Sequence, residues 1–293
     1  MIRRRALFKL PLLATAAPAA RADEPASAGG ALPYRIPRSA VHAVDAPSLG
    51  RVYRIYVQTP KGYDAPENAE RRYPVLYLHD GPYSFPLAAG ALAYPMGTGA
   101  VDPAIIVGVS RAVDEDPMRS RVRDFTPTSA ASWRRYETGG APAYLEFLRG
   151  RLIPFVEARW RADAAARVLV GHSLGGLFGA YVLARAPETF AGYALISPSL
   201  WFHDRIIMSL EAAYAEAGPP RRGRVYLATG ALEAPPHINN DMVGDQGAYA
   251  AALRARAIDA FDVRAEILND AAHEFTFPLG FARAASWLLA PRA

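Results

Sequence analysis

The sequence predicts an α/β fold: a doubly wound, mostly parallel sheet with helices on both faces. Three observations carry this. Short, nearly all-apolar runs recur along the chain, helical stretches alternate with them, and one run passes through Gly-x-Ser-x-Gly directly into a helix. An apolar fraction of 51% with 21% charged residues is ordinary globular composition and excludes a disordered or collagen-like chain.

Residues 1–22 stand apart. They hold Arg3, Arg4, Arg5, Lys9 and Arg21 and no acid, then a mildly apolar run over 10–20 and the small residues Ala20 and Ala22. Charge, apolar run and small-residue site in that order predict an export signal, and the paired arginines favour the twin-arginine route. Pro11, Pro18 and Arg21 interrupt the run, so a membrane span is not expected. Pro25, Gly29, Gly30, Pro33 and Pro37 make residues 23–39 a flexible lead-in.

From residue 40 to 293 the elements follow one another without a break, which predicts a single domain. Residues 52–57 are β-rich and end at Pro60-Lys61-Gly62, a turn signal. The runs 74–78 and 105–109 read as strands covered on both faces, and 168–170, 193–196, 225–228 and 265–268 continue the series. Helices are expected over 144–160, 174–186, 205–217, 246–260 and 280–289.

Outside the first 22 residues the charge is balanced, with 28 bases against 28 acids. A nucleic-acid binder needs a basic surface, so no nucleic-acid partner is expected. The absence of cysteine excludes disulfides, thiolate metal sites and a cysteine nucleophile. No His/acid pair has zinc-ligand spacing, so neither a metal nor a cofactor is expected.

Val168-Leu169-Val170-Gly171-His172-Ser173-Leu174-Gly175-Gly176 carries the chemistry. A strand, then Gly-x-Ser-x-Gly, then a helix is the context of a nucleophile elbow, which specifies the α/β-hydrolase fold. A serine on so tight a turn needs neighbours without side chains, hence Gly171 and Gly175. The turn lifts the Ser173 hydroxyl above the sheet and leaves the Leu174 N–H at a helix N-terminus, where an oxyanion would form. His172 is expected to point away from Ser173 and support the elbow.

A serine nucleophile needs a base, and in this fold the acid and then the histidine follow it in the chain. His273 comes just after the last predicted strand, where the base belongs. Its acid partner should follow the strand 225–228. Glu233 is favoured there, with Asp241 and Asp245 as alternatives in the same connection. The second oxyanion donor should come from the loop after residue 78. Pro82 has no N–H, which leaves Gly81 or Tyr83, and glycine allows the closer approach.

Five segments together resemble a known family over roughly residues 40–290: Leu78-His79-Asp80-Gly81, Arg123-Asp124-Phe125-Thr126-Pro127-Thr128, Gly171-His172-Ser173-Leu174-Gly175-Gly176, Ser197-Pro198-Ser199-Leu200-Trp201 and Gly230-Ala231-Leu232-Glu233. This is similar to the esterase family of α/β-hydrolases that includes esterase D, and within it to the siderophore esterases that cleave catecholate trilactones such as enterobactin and salmochelin. The resemblance implies Ser173 as nucleophile, His273 as base, and Gly81 and Leu174 as oxyanion donors. It leaves the acid open, because some periplasmic members work with a Ser–His pair alone. Pro82 and Phe202 depart from the family, which has a polar residue and a second Trp there.

Arg119, Arg121 and Arg123 alternate along a segment expected to be an extended loop, where they would share one side and meet an anionic ester such as a ferric siderophore. The alternative leaves Arg119 and Arg121 solvated and pairs Arg123 with Asp124. Trp201 would supply an aromatic wall. The expected function is a periplasmic or secreted serine esterase acting through an acyl-enzyme. An acyltransferase or general carboxylesterase of the same fold, and a non-catalytic periplasmic binding module, are the alternatives.

The export reading has a direct test. N-terminal sequencing of the native protein should begin at Asp23, and Arg4→Lys with Arg5→Lys should leave full-length precursor inside the cell. A native protein beginning at Met1 contradicts cleavage.

Overall fold

In the computed structural model, residues 33–218, 222–255 and 261–291 are described. The expected export signal and most of the expected lead-in lie outside them, as do residues 256–260 of the expected fourth helix. Ile36–Ala293 packs as one compact unit.

Eight strands form one sheet in the order β1-β2-β4-β3-β5-β6-β7-β8. They are β1 (Ser39–Ala46), β2 (Arg51–Gln58), β3 (Tyr73–Leu78), β4 (Ile105–Ala112), β5 (Ala162–His172), β6 (Gly192–Ile196), β7 (Gly223–Gly230) and β8 (Phe261–Leu268). β1 and β2 pair antiparallel with each other, and β2 with β4; every other pair is parallel. The mostly parallel sheet agrees with the sequence prediction.

Successive side chains of a strand point to opposite faces, and here both faces are buried. Val75 and Tyr77 of β3, Leu169 of β5 and Leu195 of β6 belong to one core; Leu76, Leu78, Val170 and Ile196 belong to the other. The second core is closed by α1 (Gly81–Thr98) and α8 (His273–Leu288), through Phe85, Leu92, Phe277 and Phe281. On the other face lie α2 (Pro117–Phe125), α3 (Ala141–Phe147), α4 (Ile153–Glu157), α5 (Leu174–Arg185), α6 (Phe202–Ala217) and α7 (Met242–Arg254). Covering on both faces is why the strands read as unbroken apolar runs.

Several boundaries differ from expectation. Residues 81–98 form α1 although Pro86 and Pro95 lie inside it, Pro82 being in the first turn where proline is tolerated; Phe85, Ala88, Ala89 and Leu92 are buried, and this packing outweighs the lost hydrogen bonds. The expected helix 144–160 is interrupted by a π-helical turn, Leu148–Leu152, just before Pro154, which has no N–H to give to the helix. α8 begins at His273 and carries Pro278 internally, so it starts seven residues before the expected 280. Residues 117–125 are helical, not an extended loop: Asp116 Oδ1 accepts from Arg119 N at 2.8 Å and caps the helix.

Two helix glycines should respond with opposite signs to alanine. A Cβ on Gly176 of α5 would lie 2.9 Å from Pro198 Cα, against backbone, whereas one on Gly247 of α7 meets nothing within 4 Å. Gly176→Ala should therefore lose about 1–3 kcal/mol by overpacking, and Gly247→Ala should gain about 0.5–1 kcal/mol from helix propensity. Thermal or urea unfolding of both variants is the check.

Candidate active site

The C-terminal edge of a parallel sheet is where open α/β folds place their ligands. β5 ends there at His172, and the chain turns through Ser173 into α5. Ser173 has φ 59° and ψ −120°, a region that L-residues avoid. Two neighbouring elements hold it: Ser173 N donates to Ile196 O at 3.0 Å, and Ser173 O accepts from Leu177 N at 2.9 Å and Ser199 N at 3.1 Å. A Cβ on Gly171 would overlap the Gly175 carbonyl, so the first glycine is there for close approach.

Glu233 follows β7 and is fully buried. Its Oε2 accepts from His273 Nδ1 at 2.5 Å, and its Oε1 accepts from Ser197 Oγ at 2.6 Å and Gly230 N at 2.8 Å. A buried carboxylate requires such partners. Because Nδ1 gives its proton to Glu233, the Nε2 lone pair of a neutral His273 is free to accept one. Asp241 and Asp245 are engaged elsewhere: Asp241 caps α7 through Gly244 N at 2.8 Å, and Asp245 pairs with Arg205 at 2.6 Å. The structure thus brings Glu233, and neither aspartate, to His273.

The hydroxyl of Ser173 lies 3.3 Å from that of Ser199. No hydrogen bond joins Ser173 to His273 among the described residues; in substrate-free enzymes this bond is often long and tightens on binding. The imidazole of His172 turns toward α8. Its ring lies on that of His273, with centroids 4.6 Å apart and planes at 34°.

Leu174 opens α5 and Gly81 opens α1, so both N–H groups lie in first turns, where a helix leaves its donors unpaired. Tyr83 N donates to Asp80 O at 2.9 Å and is thereby occupied. Of the two donors the sequence left open, Gly81 remains.

The three arginines do not share one side, because two residues along a helix is a turn of about 200° and not the alternation of a strand. Arg119 is exposed. Arg121 Nε lies 2.9 Å from both carboxylate oxygens of Asp80, and its Nη2 donates to His172 O at 3.2 Å. Arg123 is buried between Asp124, at 2.9 Å, and Glu115, at 2.7 Å. Asp124 in turn accepts from Tyr53 OH at 2.8 Å. Arg123 is therefore part of an internal ion-pair network, and Arg121 ties the loop before α1 to the elbow. Trp201 stacks with Trp133 at 6.3 Å and 17°, and Trp133 also meets Phe202 edge-on at 5.6 Å.

Sequence reading did not single out Ser197, Ser199, Thr276, Asp80 or Trp133 for the site. Asp80 sits in a quoted motif, and the two serines in another, so their motifs were visible but their partners were not. Nothing local marks Thr276 or Trp133. Among the described residues, no group of three or more His, Cys, Asp or Glu could hold a metal ion, and no helix is long and apolar enough to cross a membrane.

Sheet order, elbow and a buried acid on the histidine after β8 define an α/β-hydrolase. The family model described as "Putative esterase" matches residues 46–285, and the chain belongs to that family. It is 31% identical over 189 residues to the ferri-bacillibactin esterase BesA of Bacillus subtilis, covering 60% of this chain and 63% of that one. It is 29% identical over 174 residues to the siderophore triacetylfusarinine C esterase of Aspergillus fumigatus, covering 57% and 58%. The matches thus span about three fifths of these curated relatives. The siderophore hydrolase EstB from Aspergillus nidulans superposes with a TM-score of 0.78 at 22% identity, over 89% of this chain and all of that one, which is a likeness of fold.

The ion pairs separate the arginines experimentally. Arg121→Gln leaves Asp80 with only Arg111, 3.9 Å away, and should cost about 3 kcal/mol. Arg119→Gln should stay within about 0.5 kcal/mol of the parent. Urea unfolding of the two variants measures the contrast.

Proposed function

We propose that this chain is a serine esterase acting through an acyl-enzyme. The observation that carries the reading is the buried Glu233 hydrogen-bonded to His273 Nδ1 at 2.5 Å, on the edge of the sheet where the elbow presents Ser173. Ser173 Oγ attacks the ester carbonyl as its proton passes to His273 Nε2. The Oγ–C bond forms, and the carbonyl oxygen becomes an oxyanion facing the N–H groups of Gly81 and Leu174. Collapse breaks the bond to the leaving alcohol, which takes the proton from His273. Water then repeats the sequence on the acyl-enzyme and releases the acid. Glu233 keeps the proton of His273 on Nδ1 and stabilises the imidazolium. Each oxyanion donor is worth about 3 kcal/mol at the transition state.

The substrate proposed is a siderophore ester, supported by the relatives named as siderophore esterases. Trp201, stacked with Trp133, lies two residues along the chain from Ser199 and would offer an aromatic surface to such a substrate. Export to the periplasm or beyond belongs to the same reading, supported by the composition of residues 1–22.

Ser173→Ala should lower kcat by roughly 10⁴ to 10⁶ without unfolding the protein, and the parent should be labelled by a fluorophosphonate. Glu233→Gln should cut kcat strongly with little change in KM, while Asp241→Asn and Asp245→Asn should not. A panel of esters including a ferric catecholate trilactone and a neutral short-chain ester tests the substrate. Retention of more than about a tenth of the activity by Ser173→Ala removes the mechanism, and no preference for the trilactone removes the substrate.

A further inference from the structure

Thr276 and Ser197 place a constraint on His172. Glu233, as a carboxylate, only accepts, so the single proton of Ser197 Oγ goes to it at 2.6 Å. Ser197 Oγ also lies 2.8 Å from Thr276 Oγ1, which must then be the donor of that pair when it forms. Thr276 Oγ1 is 2.9 Å from the His273 carbonyl as well, and has one proton for the two acceptors. His172 Nε2 lies 3.1 Å from the same carbonyl and 3.2 Å from Thr276 Oγ1. The His273 carbonyl can only accept, so in the tautomer that bonds it Nε2 carries the proton, and the Thr276 proton is then left for Ser197 or for that carbonyl.

His172 is half-buried, and its ring packs on two others. The ring lies 4.6 Å from the His273 ring and 6.0 Å from that of Phe277 on α8. The charged groups around it are Arg121 of α2, whose Nη2 bonds the His172 carbonyl and whose Nε holds Asp80, and Glu233 beyond His273. Burial first, then His273 and Arg121, push the His172 pKa down to about 3, so the ring is neutral wherever His273 acts as a base. A neutral ring does not oppose the charge that His273 acquires when it takes the serine proton.

We infer that His172 is a positioning residue, whose Nε2–H bond to the main chain of His273 pins the first turn of α8 to the elbow and sets the place of the base over Ser173. The inference rests on the esterase reading above. Ser173 and His273 are 100 positions apart in sequence and on different elements, so their alignment depends on contacts of this kind. The residue adjoining the nucleophile supplies one directly to the base. A base displaced by about 1 Å costs on the order of 10²-fold in rate, which sets the size of the expected effect.

Two variants separate the bond from the ring. His172→Gln keeps an N–H donor of similar reach and loses the ring; His172→Phe keeps a ring and loses the donor. With a neutral short-chain ester, His172→Phe should lower kcat about 30-fold to 100-fold with KM within about twofold, and His172→Gln should recover to within about fivefold of the parent. The rate of fluorophosphonate labelling of Ser173 should fall and recover in parallel, with Ser173→Ala as the unlabelled control. The inference is overturned if His172→Phe keeps kcat and labelling within about threefold, or if Gln rescues no better than Phe. A parent protein that neither hydrolyses esters nor accepts the label contradicts the esterase reading instead, so the two failures are distinct.

Discussion

The backbone of Ser173, at φ 59° and ψ −120°, is the constraint on which the site depends. Such a conformation costs an L-residue about 1–3 kcal/mol and persists only where its surroundings over-determine it. The bonds to Ile196 O and Ser199 N tie the turn to the end of β6, and α5 leaves from it at once. The glycines serve the same end: Gly171 lets the turn close, and Gly176 lets α5 pass 2.9 Å, on a Cβ measure, from Pro198. The parallel pairing of β5 with β6 thus fixes both ends of the turn that carries Ser173.

Further polar groups fix the place of His273. Glu233, Ser197, Thr276, His172 and His273 come from β7, β6, α8 and the elbow, and their hydrogen bonds form one connected set. Buried polar networks rigidify when fully satisfied and are costly when broken. Ser197 itself adopts φ 42°, a further local strain on the strand end that faces Glu233. The cost is offset by pairing a fully buried carboxylate, which would otherwise be expensive to desolvate.

The arginines of α2 show how the same residues change meaning with backbone geometry. Alternating positions share a side in a strand but diverge in a helix. Once Asp116 caps the segment and helix α2 forms, Arg123 turns inward to Asp124 and Glu115, Arg121 reaches Asp80, and Arg119 is left outside. What resembled a surface for an anion is largely internal electrostatics, with Arg119 alone of the three left exposed.

The sequence by itself determined the parallel sheet, through apolar runs whose residues fill two cores, and it determined the elbow, because strand, glycines, serine and helix are contiguous. It also placed Ser173 and His273 after strand ends, and narrowed the acid to Glu233, Asp241 and Asp245 in the connection after β7. These are local patterns, legible over a few residues. Only the tertiary structure decided that Glu233 and neither aspartate meets His273, that residues 81–98 and 117–125 are helical, and that the His172 ring rests on His273. The contacts of His273 depend on groups 40 to 101 positions apart being brought together by crossovers between strands, as in the His273–Glu233 and His172–His273 pairs. Packing also overrode local preference, as where Pro86 and Pro95 lie inside α1 because its apolar face is buried against β4.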